Sequence, residues 1–411
     1  MAEYIYGIDI GSSKICIAVG KIDKFGFLQI AGVTSAKTNG VKDGVIVDIE
    51  GVIEALIDCK NKIFKQLNLN MKGAYISISS NLCDIVWNKG VVAISSSNRE
   101  ISFSDKERVL KSARVIDLPI GKEIIGVIPE VYIIDGNNSV KEPIGMTGNR
   151  LEVDGKVIYT DSNFINNLFK CFDGAGVSIY GLVYQSVALS QVLIKPREKD
   201  LNVSIVDVGA NTINISMIKG KTLMTNYSIK IGGEIITKDI AICLKKDMNQ
   251  SENLKRAYSS KQEISRINEA ETFEADYNYL GNIMEARIEE ILLLILEKLK
   301  ASGYYEELSL VILTGGGLSY FNNIDEFGKS ILKLPVRLGY PEFIGASELV
   351  YSTAVGVVMD VNNNIDSSFT KNNFSDLEKS KNSNAIDINR DQKESKTSFA
   401  NKIKEFFIDI F

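Results

Sequence analysis

The chain has 411 residues, with a hydrophobic content of 45%, a charged content of 24% and a net charge of −5. That length suits two or three domains with substantial cores, and the acidic balance with no basic stripe argues against broad nucleic-acid binding. Histidine is absent, which excludes His-dependent triads, His-ligated metals and imidazole bases; the five cysteines form no CxxC and suit a reducing compartment better than a disulfide framework or a zinc site.

The first residues, MAEYIYGIDIG, enter a strand directly, so no signal peptide is expected. No apolar run reaches the roughly 20 residues of a membrane-spanning helix. Residues 5–18 read as strand–turn–strand, with Asp9 and Gly11 at the bend and Ser12, Ser13 and Lys14 leading into the second strand. Residues 27–35 continue that sheet. An apolar stripe of Val52, Leu56, Ile63 and Phe64 predicts a helix over 49–67, and clean alternation predicts a strand over 72–80. Residues 84–161 change character. A short helix at 105–115 and strand-like runs at 123–134 and 151–159 read as a small α+β subdomain inserted in a first lobe made of 1–83 and 162–195. A helix at 161–175 returns to that lobe, and 181–194 is a strand running into a helix. A charged turn, 195–200, leads to the second lobe, 196–360.

There the bend recurs. Residues 203–206 are apolar and deliver Asp207, Gly209 follows, and Ala210, Asn211 and Thr212 lead into a second strand. The offset between Asp9 and Asp207 is 198 positions. One such hairpin per half predicts two related lobes facing each other. Glycine lets backbone N–H groups approach a phosphate, hydroxyls add donors, and two facing aspartates suit a hydrated Mg²⁺. Two ordinary hairpins with turn glycines are the plainer alternative, which the paired recurrence disfavours. Next, Gly232 and Gly233 open a helix whose N-terminus can face an anion. Glu252, Lys255 and Arg256 share one side of a helix over 247–260. A long helix spans 283–300 within an outer subdomain, 235–300. A strand at 308–313 delivers Thr314 and Gly315, Gly316 and Gly317, another covers 335–338, and a final helix, 347–360, carries Ala354 and Gly356 for close packing. From 361 to 397 Asn, Ser, Asp and Lys dominate without periodicity, which predicts a disordered linker. Residues 398–411 place Phe399, Ile403, Phe406, Phe407, Ile410 and Phe411 on one face of an amphipathic helix.

These loops in this order resemble the actin-like ATPase superfamily, and within it the FtsA family of bacterial cell-division proteins. The stretches that carry the resemblance are GVIVDIE at 44–50, YISIS at 75–79, EPIGMTGNRLEV at 142–153, IGGEIITKDIA at 231–241, MEARIEEILLLILEKL at 284–299, VILTGGG at 311–317, LPVRLGYP at 334–341 and YSTAVGVV at 351–358. The resemblance implies an α/β, actin-like fold of two lobes with nucleotide between them and an FtsA-type insert in the first. It implies that Gly11, Ser12, Ser13 and Lys14 line one side of ATP's phosphates and Asp207, Gly209, Asn211 and Thr212 the other. Asp9 and Asp207 would then stand near Mg²⁺ through water. Gly232, Gly233 and Glu234 would border the ribose; Glu252, Lys255 and Arg256 would contact the adenosine from one face and Gly315, Gly316 and Gly317 from the other. Gln185 sits where the superfamily often carries the residue that positions the attacking water. The family's second loop is usually D-x-G-G-G-T, whereas here it reads Asp207-Val208-Gly209-Ala210-Asn211-Thr212.

The implied function is an ATP-binding protein that polymerises and tethers FtsZ filaments to the inner face of the cytoplasmic membrane at the division site, recruiting later division proteins. The FtsZ C-terminal tail would dock on the second lobe, where Arg287 could pair with its acidic residues unless it pairs with Glu290 or Glu285 instead. Residues 398–411 would dock on the membrane. Turnover is expected to be that of a slow ATPase at most, since no carboxylate occupies position 185 and no histidine exists. A sugar or acid kinase of the same superfamily and a PilM-like pilus-assembly adaptor remain the alternatives; neither has an evident use for the terminal apolar helix. A heat-shock chaperone would carry a long peptide-binding domain after the ATPase.

Overall fold

The structure is a computed structural model that describes residues 4–220, 222–259, 273–318 and 320–364. The helix expected at 398–411, with Phe399, Ile403, Phe406, Phe407, Ile410 and Phe411, lies outside the described residues, as does the expected linker beyond Asn364. Two compact units divide the described chain. One joins the residues up to Leu82 with Asn167–Asp360; the other joins Cys83–Asn166 with the residues from Val361 on.

The chain opens with three antiparallel strands, β1 (Tyr4–Ile10), β2 (Lys14–Ile22) and β3 (Leu28–Lys37), followed by a two-residue pair, β4 (Val41–Lys42) and β5 (Val45–Ile46). β2 is buried along almost its whole length, which is why its KICIAVGKI reads as a continuous apolar run rather than an alternation. Helix α1 (Ile49–Leu67) buries Val52, Ala55, Leu56, Cys59 and Ile63, one face at helical spacing. It stops at Asn68, which takes a left-handed conformation (φ 53°) and donates its backbone N–H to Phe64 O. Strand β6 (Gly73–Ile78) then pairs parallel to β1.

The second unit is built from β7 (Cys83–Ala93), α2 (Phe103–Ala113), β8 (Lys122–Ile134), β9 (Asn138–Val140) and β10 (Arg150–Asp161), with sheet order β7-β10-β8-β9. Its core joins Val109 and Ala113 of α2 to Val127, Tyr132, Leu151, Val153 and Val157 of the sheet. α2 begins two residues before the expected 105. Ser102 is the cap: its side chain accepts from Asp105 N while the Asp105 carboxylate accepts from Ser102 N, so Asp105 already lies in the first turn. β7 is an additional strand. Its alternation is masked because Val86, Trp87 and Val91 are all exposed.

The chain returns through α3 (Ser162–Gly174), β11 (Ser178–Tyr184) and α4 (Gln185–Leu193). The second lobe follows with β12 (Asn202–Val208), β13 (Ile213–Lys219), β14 (Thr222–Ile229), α5 (Gly233–Leu244), α6 (Met248–Ala257), α7 (Phe273–Ala301), β15 (Leu310–Thr314), α8 (Ile324–Leu332) and β16 (Val336–Leu338). Its core packs Val206, Val208, Ile213 and Ile215 against Ile236 and Ile240 of α5 and Ile288, Leu292 and Ile295 of α7. β14, half-buried and polar, and α8, which starts from a left-handed Asn323 without a side-chain cap, add to the elements expected from the sequence. α7 begins ten residues before the expected 283.

The two lobe sheets have one topology. The first runs β11-β6-β1-β2-β3 and the second, read in the same sense, β16-β15-β12-β13-β14. In each, the central strand pairs antiparallel with the next strand and parallel with a later one.

The last helix, α9 (Ser352–Asn364), starts later than the expected 347, after a 3₁₀ turn at Leu349–Tyr351, and runs past the expected end at 360 into the stretch expected as linker. It also packs on the first lobe, although its sequence position put it with the second. A Cβ on Gly7 of β1 would lie 2.4 Å from Ala354 O, and one on Gly356 would lie 2.2 Å from Ala188 O of α4. Glycine at both positions lets backbones touch. No helix of the described residues is long and apolar enough to cross a membrane.

Candidate functional site

The two Asp-x-Gly bends are superimposable in hydrogen bonding. In the first, Gly11 N donates to Lys14 O at 3.0 Å; in the second, Gly209 N donates to Thr212 O at 2.9 Å. Asp9 stands opposite Cys16 across its hairpin, and Asp207 stands opposite Asn214 across the other. Each carboxylate therefore ends a central strand just before a tight turn, on the equivalent edge of its sheet.

Both carboxylates lie deep, though solvent still reaches them. Asp9 Oδ1 accepts from Ser77 Oγ at 2.6 Å, and Asp207 Oδ2 accepts from Gln185 Nε2 at 2.8 Å. Burial pushes the Asp9 carboxyl above its ordinary range against the Ser77 bond. Burial, then the Asp9 charge, push Asp207 up to about 7 against the Gln185 bond. This donor set fits a divalent cation held through its water shell: two oxygen-bearing groups with uncompensated charge and hydroxyls beside them. No group of three or more His, Cys, Asp or Glu side chains gathers among the described residues, so a ligand cage built from protein carboxylates is not what the site offers.

Gln185 opens α4 between the lobes. Its Oε1 accepts from Ser79 Oγ (3.2 Å), Ser80 N (3.3 Å) and Asn214 Nδ2 (3.1 Å), so both ends of its amide are used. Behind it Ser80, Ser186, Ser216 and Asn226 form a buried polar seam, with Ser80 Oγ 2.8 Å from Ser186 Oγ and Ser216 Oγ donating to Asn226 Oδ1 at 2.9 Å. Ser77, Ser79 and Asn214 escape a reading of the sequence. Their signal is positional: Asn214 is the register partner of Asp207, and Ser77 and Ser79 lie one and three residues beyond Ile76, the last partner of the Asp9 strand.

Around Asp207 three glycine segments meet backbone to backbone. Gly233 N donates to Gly209 O (2.9 Å), Glu234 N to Ala210 O (2.8 Å) and Gly317 N to Val208 O (2.8 Å). Gly315 has φ +88°, which an L side chain rarely adopts, and a Cβ there would also lie 2.4 Å from Asp207 Oδ1. A Cβ on Gly316 meets nothing, so this segment borders open space. The departure from three consecutive glycines in the second loop carries no strain: neither Ala210 nor Asn211 has a positive φ. Asn211 instead gains a hydrogen bond from its Nδ2 to Glu234 Oε2, and Glu234 also pairs with Lys238.

The predicted adenosine-side residues are brought together, but chiefly with one another. Lys255 is only 4% exposed. Its ammonium donates to Gly233 O (2.9 Å) and Thr237 Oγ1 (2.8 Å) and pairs with Glu252 (2.7 Å). Glu252 also takes Arg256 Nε at 2.7 Å and Thr237 Oγ1 at 2.6 Å. Lys255 thus fixes the Gly232–Gly233 turn from behind. Arg287 lies away from this cluster. It donates from Nε and Nη2 to the two Asp239 oxygens and from Nη1 to Glu290, so the pairing with Glu290 is present and Asp239 of α5 adds a second acid.

The family model described as the SHS2 domain inserted in FtsA matches residues 83–159, and that described as cell division protein FtsA matches 204–356. The cell division protein FtsA of Bacillus subtilis is 31% identical over 368 residues, spanning 87% of this chain and 83% of that protein. FtsA of Enterococcus faecalis is 30% identical, spanning 86% and 82%. Among solved structures, the PilM–PilN type IV pilus biogenesis complex aligns with TM-score 0.60 at 14% identity over 87% of this chain and 98% of that one. The ethanolamine utilization protein EutJ from Carboxydothermus hydrogenoformans aligns with TM-score 0.53 at 17% identity over 87% and 89%. At such identities the likeness is one of fold, the actin-like ATPase fold.

Proposed function

The chain belongs to the FtsA family of cell-division proteins, and from that premise we propose that it binds ATP with Mg²⁺ between its two lobes, polymerises, and tethers FtsZ filaments to the cytoplasmic face of the cell membrane. The observation that carries the nucleotide reading is the pair of equivalent bends, each following a half-buried carboxylate near the end of a central strand. Ser12, Ser13 and Lys14 on one side and Asn211 and Thr212 on the other would face the phosphates. Asp9 and Asp207 would hold the hydrated cation, which would supply positive charge beside both carboxylates. Gly232, Gly233, Gly315 and Gly317 let these segments pack on one another, Gly316 would leave the sugar and base room to approach backbone, and Lys255 keeps the Gly233 turn in place.

Gln185 would act on hydrolysis through Asp207 and the lobe seam, since its amide is already engaged at both ends. That engagement supports slow turnover. The FtsZ tail would dock on the second lobe's outer part, around α5 and α7, and residues 398–411 would dock on the membrane. A single helix with those side chains, its lysines balanced by Glu405 and Asp409, would bind weakly, so firm attachment would come from many helices on one polymer.

The test is MgATP binding by the full chain, wild type against Asp207→Ala, with circular dichroism as the check on folding. Loss of affinity in a folded variant supports the site; equal affinity removes it. Co-sedimentation with FtsZ filaments and vesicles, together and separately, tests the tether.

A further inference from the structure

The turn between β2 and β3 holds two phenylalanines out in solvent. Phe25 is 72% exposed and Phe27 is 69% exposed. This turn is firmly built. The Asp23 carboxylate accepts from Phe25 N at 2.8 Å and from Phe27 N at 2.9 Å, Asp23 N donates to Phe27 O at 3.0 Å, and Gly26 N donates to Asp23 O at 3.0 Å. Gly26 has φ +86°, the value that lets the chain reverse between the two rings. Lys24 Nζ lies 5.0 Å from the Phe25 ring centroid, and Lys21 precedes it on β2. Two aromatic rings projected from a rigid, lysine-flanked tip make a shape suited to an interface that is apolar inside and anionic at its surface.

The tip lies at a particular end of the lobe. β1 runs towards the Asp9 bend and β2 runs away from it, so the turn after β2 is at the opposite end from the phosphate loops. Helix α9 runs the same way as β2. Ala354 lies against Gly7, and four residues later Val358 lies against Gly20, near the tip. Helix α9 is the last described element before the apolar stretch 398–411 in the sequence. The Phe25–Phe27 tip and the Val358 turn of α9 therefore share one end of the lobe.

We propose that this hairpin tip is a second membrane contact, inserting Phe25 and Phe27 into the headgroup–acyl boundary of a lipid surface while Lys21 and Lys24 meet anionic headgroups. The proposal rests on the reading that residues 398–411 dock on a membrane. The tail brings the surface close; the tip then sets the lobe's orientation on it and adds affinity as an intramolecular second site.

The test uses the full chain and vesicles of phosphatidylethanolamine mixed with phosphatidylglycerol. Flotation compares wild type, Phe25→Ser/Phe27→Ser, and Phe406→Glu/Phe407→Glu. Both tip residues are exposed, so the tip variant folds, and its vesicle affinity is expected to fall about tenfold. Equal affinity for wild type and tip variant overturns the proposal and leaves the tail reading standing. No vesicle binding by wild type overturns both, whereas binding that survives the tail variant but not the tip variant overturns the tail reading alone. A second measurement uses the chain's single tryptophan position: in Trp87→Phe/Phe25→Trp, emission should shift to the blue with vesicles and be quenched by brominated lipid. An unshifted spectrum in vesicle-bound protein overturns insertion. A blue shift that follows protein concentration without lipid assigns the tip to contact between copies of this chain and overturns it too.

Discussion

Gln185 Nε2 donates to Asp207 Oδ2 at 2.8 Å, and this bond joins α4 of the first lobe to the Asp207 bend of the second. The orientation of the amide is settled by its other end: Oε1 accepts from the backbone N–H of Ser80, which can only donate. Asn214 Nδ2 adds a third-strand link to the same oxygen. The side chain to which the family resemblance assigns water positioning is, in this arrangement, a bridge.

Gln185→Leu should therefore lower the stability of the nucleotide-free protein by about 1–3 kcal/mol, because it takes the acceptor from Ser80 N and leaves Asn214 Nδ2 only Ser79 Oγ. Gln185→Glu should cost more at pH 8 than at pH 5, since a third carboxylate then faces Asp207 and Asp9. Urea unfolding at the two pH values measures both. A Gln185→Leu variant as stable as wild type would show the bridge to be energetically silent.

Asp207 gives stability a definite pH dependence. Its folded value of about 7 lies above the unfolded 3.8, so the folded state holds a proton that the unfolded state has released between these limits. The contribution is fully present below about pH 4 and is lost as pH rises through about 7. A shift of about 3 units corresponds to an upper bound of about 4 kcal/mol. Asp9, also raised by burial, acts in the same sense. Asp207→Asn should flatten the fall in unfolding free energy over this range. A divalent cation at the site should release protons on binding near pH 7, read by calorimetry in buffers of different ionisation enthalpy.

The second loop can be returned to the family pattern by Ala210→Gly/Asn211→Gly. Neither residue has a positive φ, so nucleotide affinity should stay within about threefold while stability falls. The loss is about 0.5–1 kcal/mol per added glycine from chain entropy, with a further loss from the Asn211–Glu234 bond. A large gain in ATP affinity would mean that the glycines matter for a conformation other than this one.

Arg287 and Asp239 provide the fourth prediction. The guanidinium spans both Asp239 oxygens, with Nη2–Oδ1 at 3.0 Å, and burial there is partial. Arg287→Ala should cost about 1–2 kcal/mol of stability. Binding of an acidic FtsZ tail peptide then separates two roles. If Arg287→Ala and Asp239→Ala weaken the peptide equally, Arg287 acts by holding α5 to α7. If only Arg287→Ala weakens it, the guanidinium touches the peptide.

Local pattern was enough for much of this protein. The two bends are legible because an apolar strand, a carboxylate and a glycine are adjacent in the chain, and α1 is legible because nineteen residues carry one uninterrupted apolar stripe. The Gly315–Gly317 segment and the Gly232–Gly233 helix start could be read for the same reason: a turn's chemistry resides in neighbouring residues. Their order along the chain then pointed to the actin-like fold. What local pattern does not hold is who faces whom. Lys255 looks like any basic residue on a helix until Gly233, Thr237 and Glu252 close around it. Ser77 becomes a partner of Asp9 only because β6 lies parallel beside β1. α9, which meets Thr314 of the second lobe through Ser352, also lies against Gly7 and Gly20 of the first, since close approach depends on two small surfaces that meet only after the chain has folded back. The elevated Asp207 value arises from desolvation and from a charge 198 positions away, and both exist only once the lobes are packed.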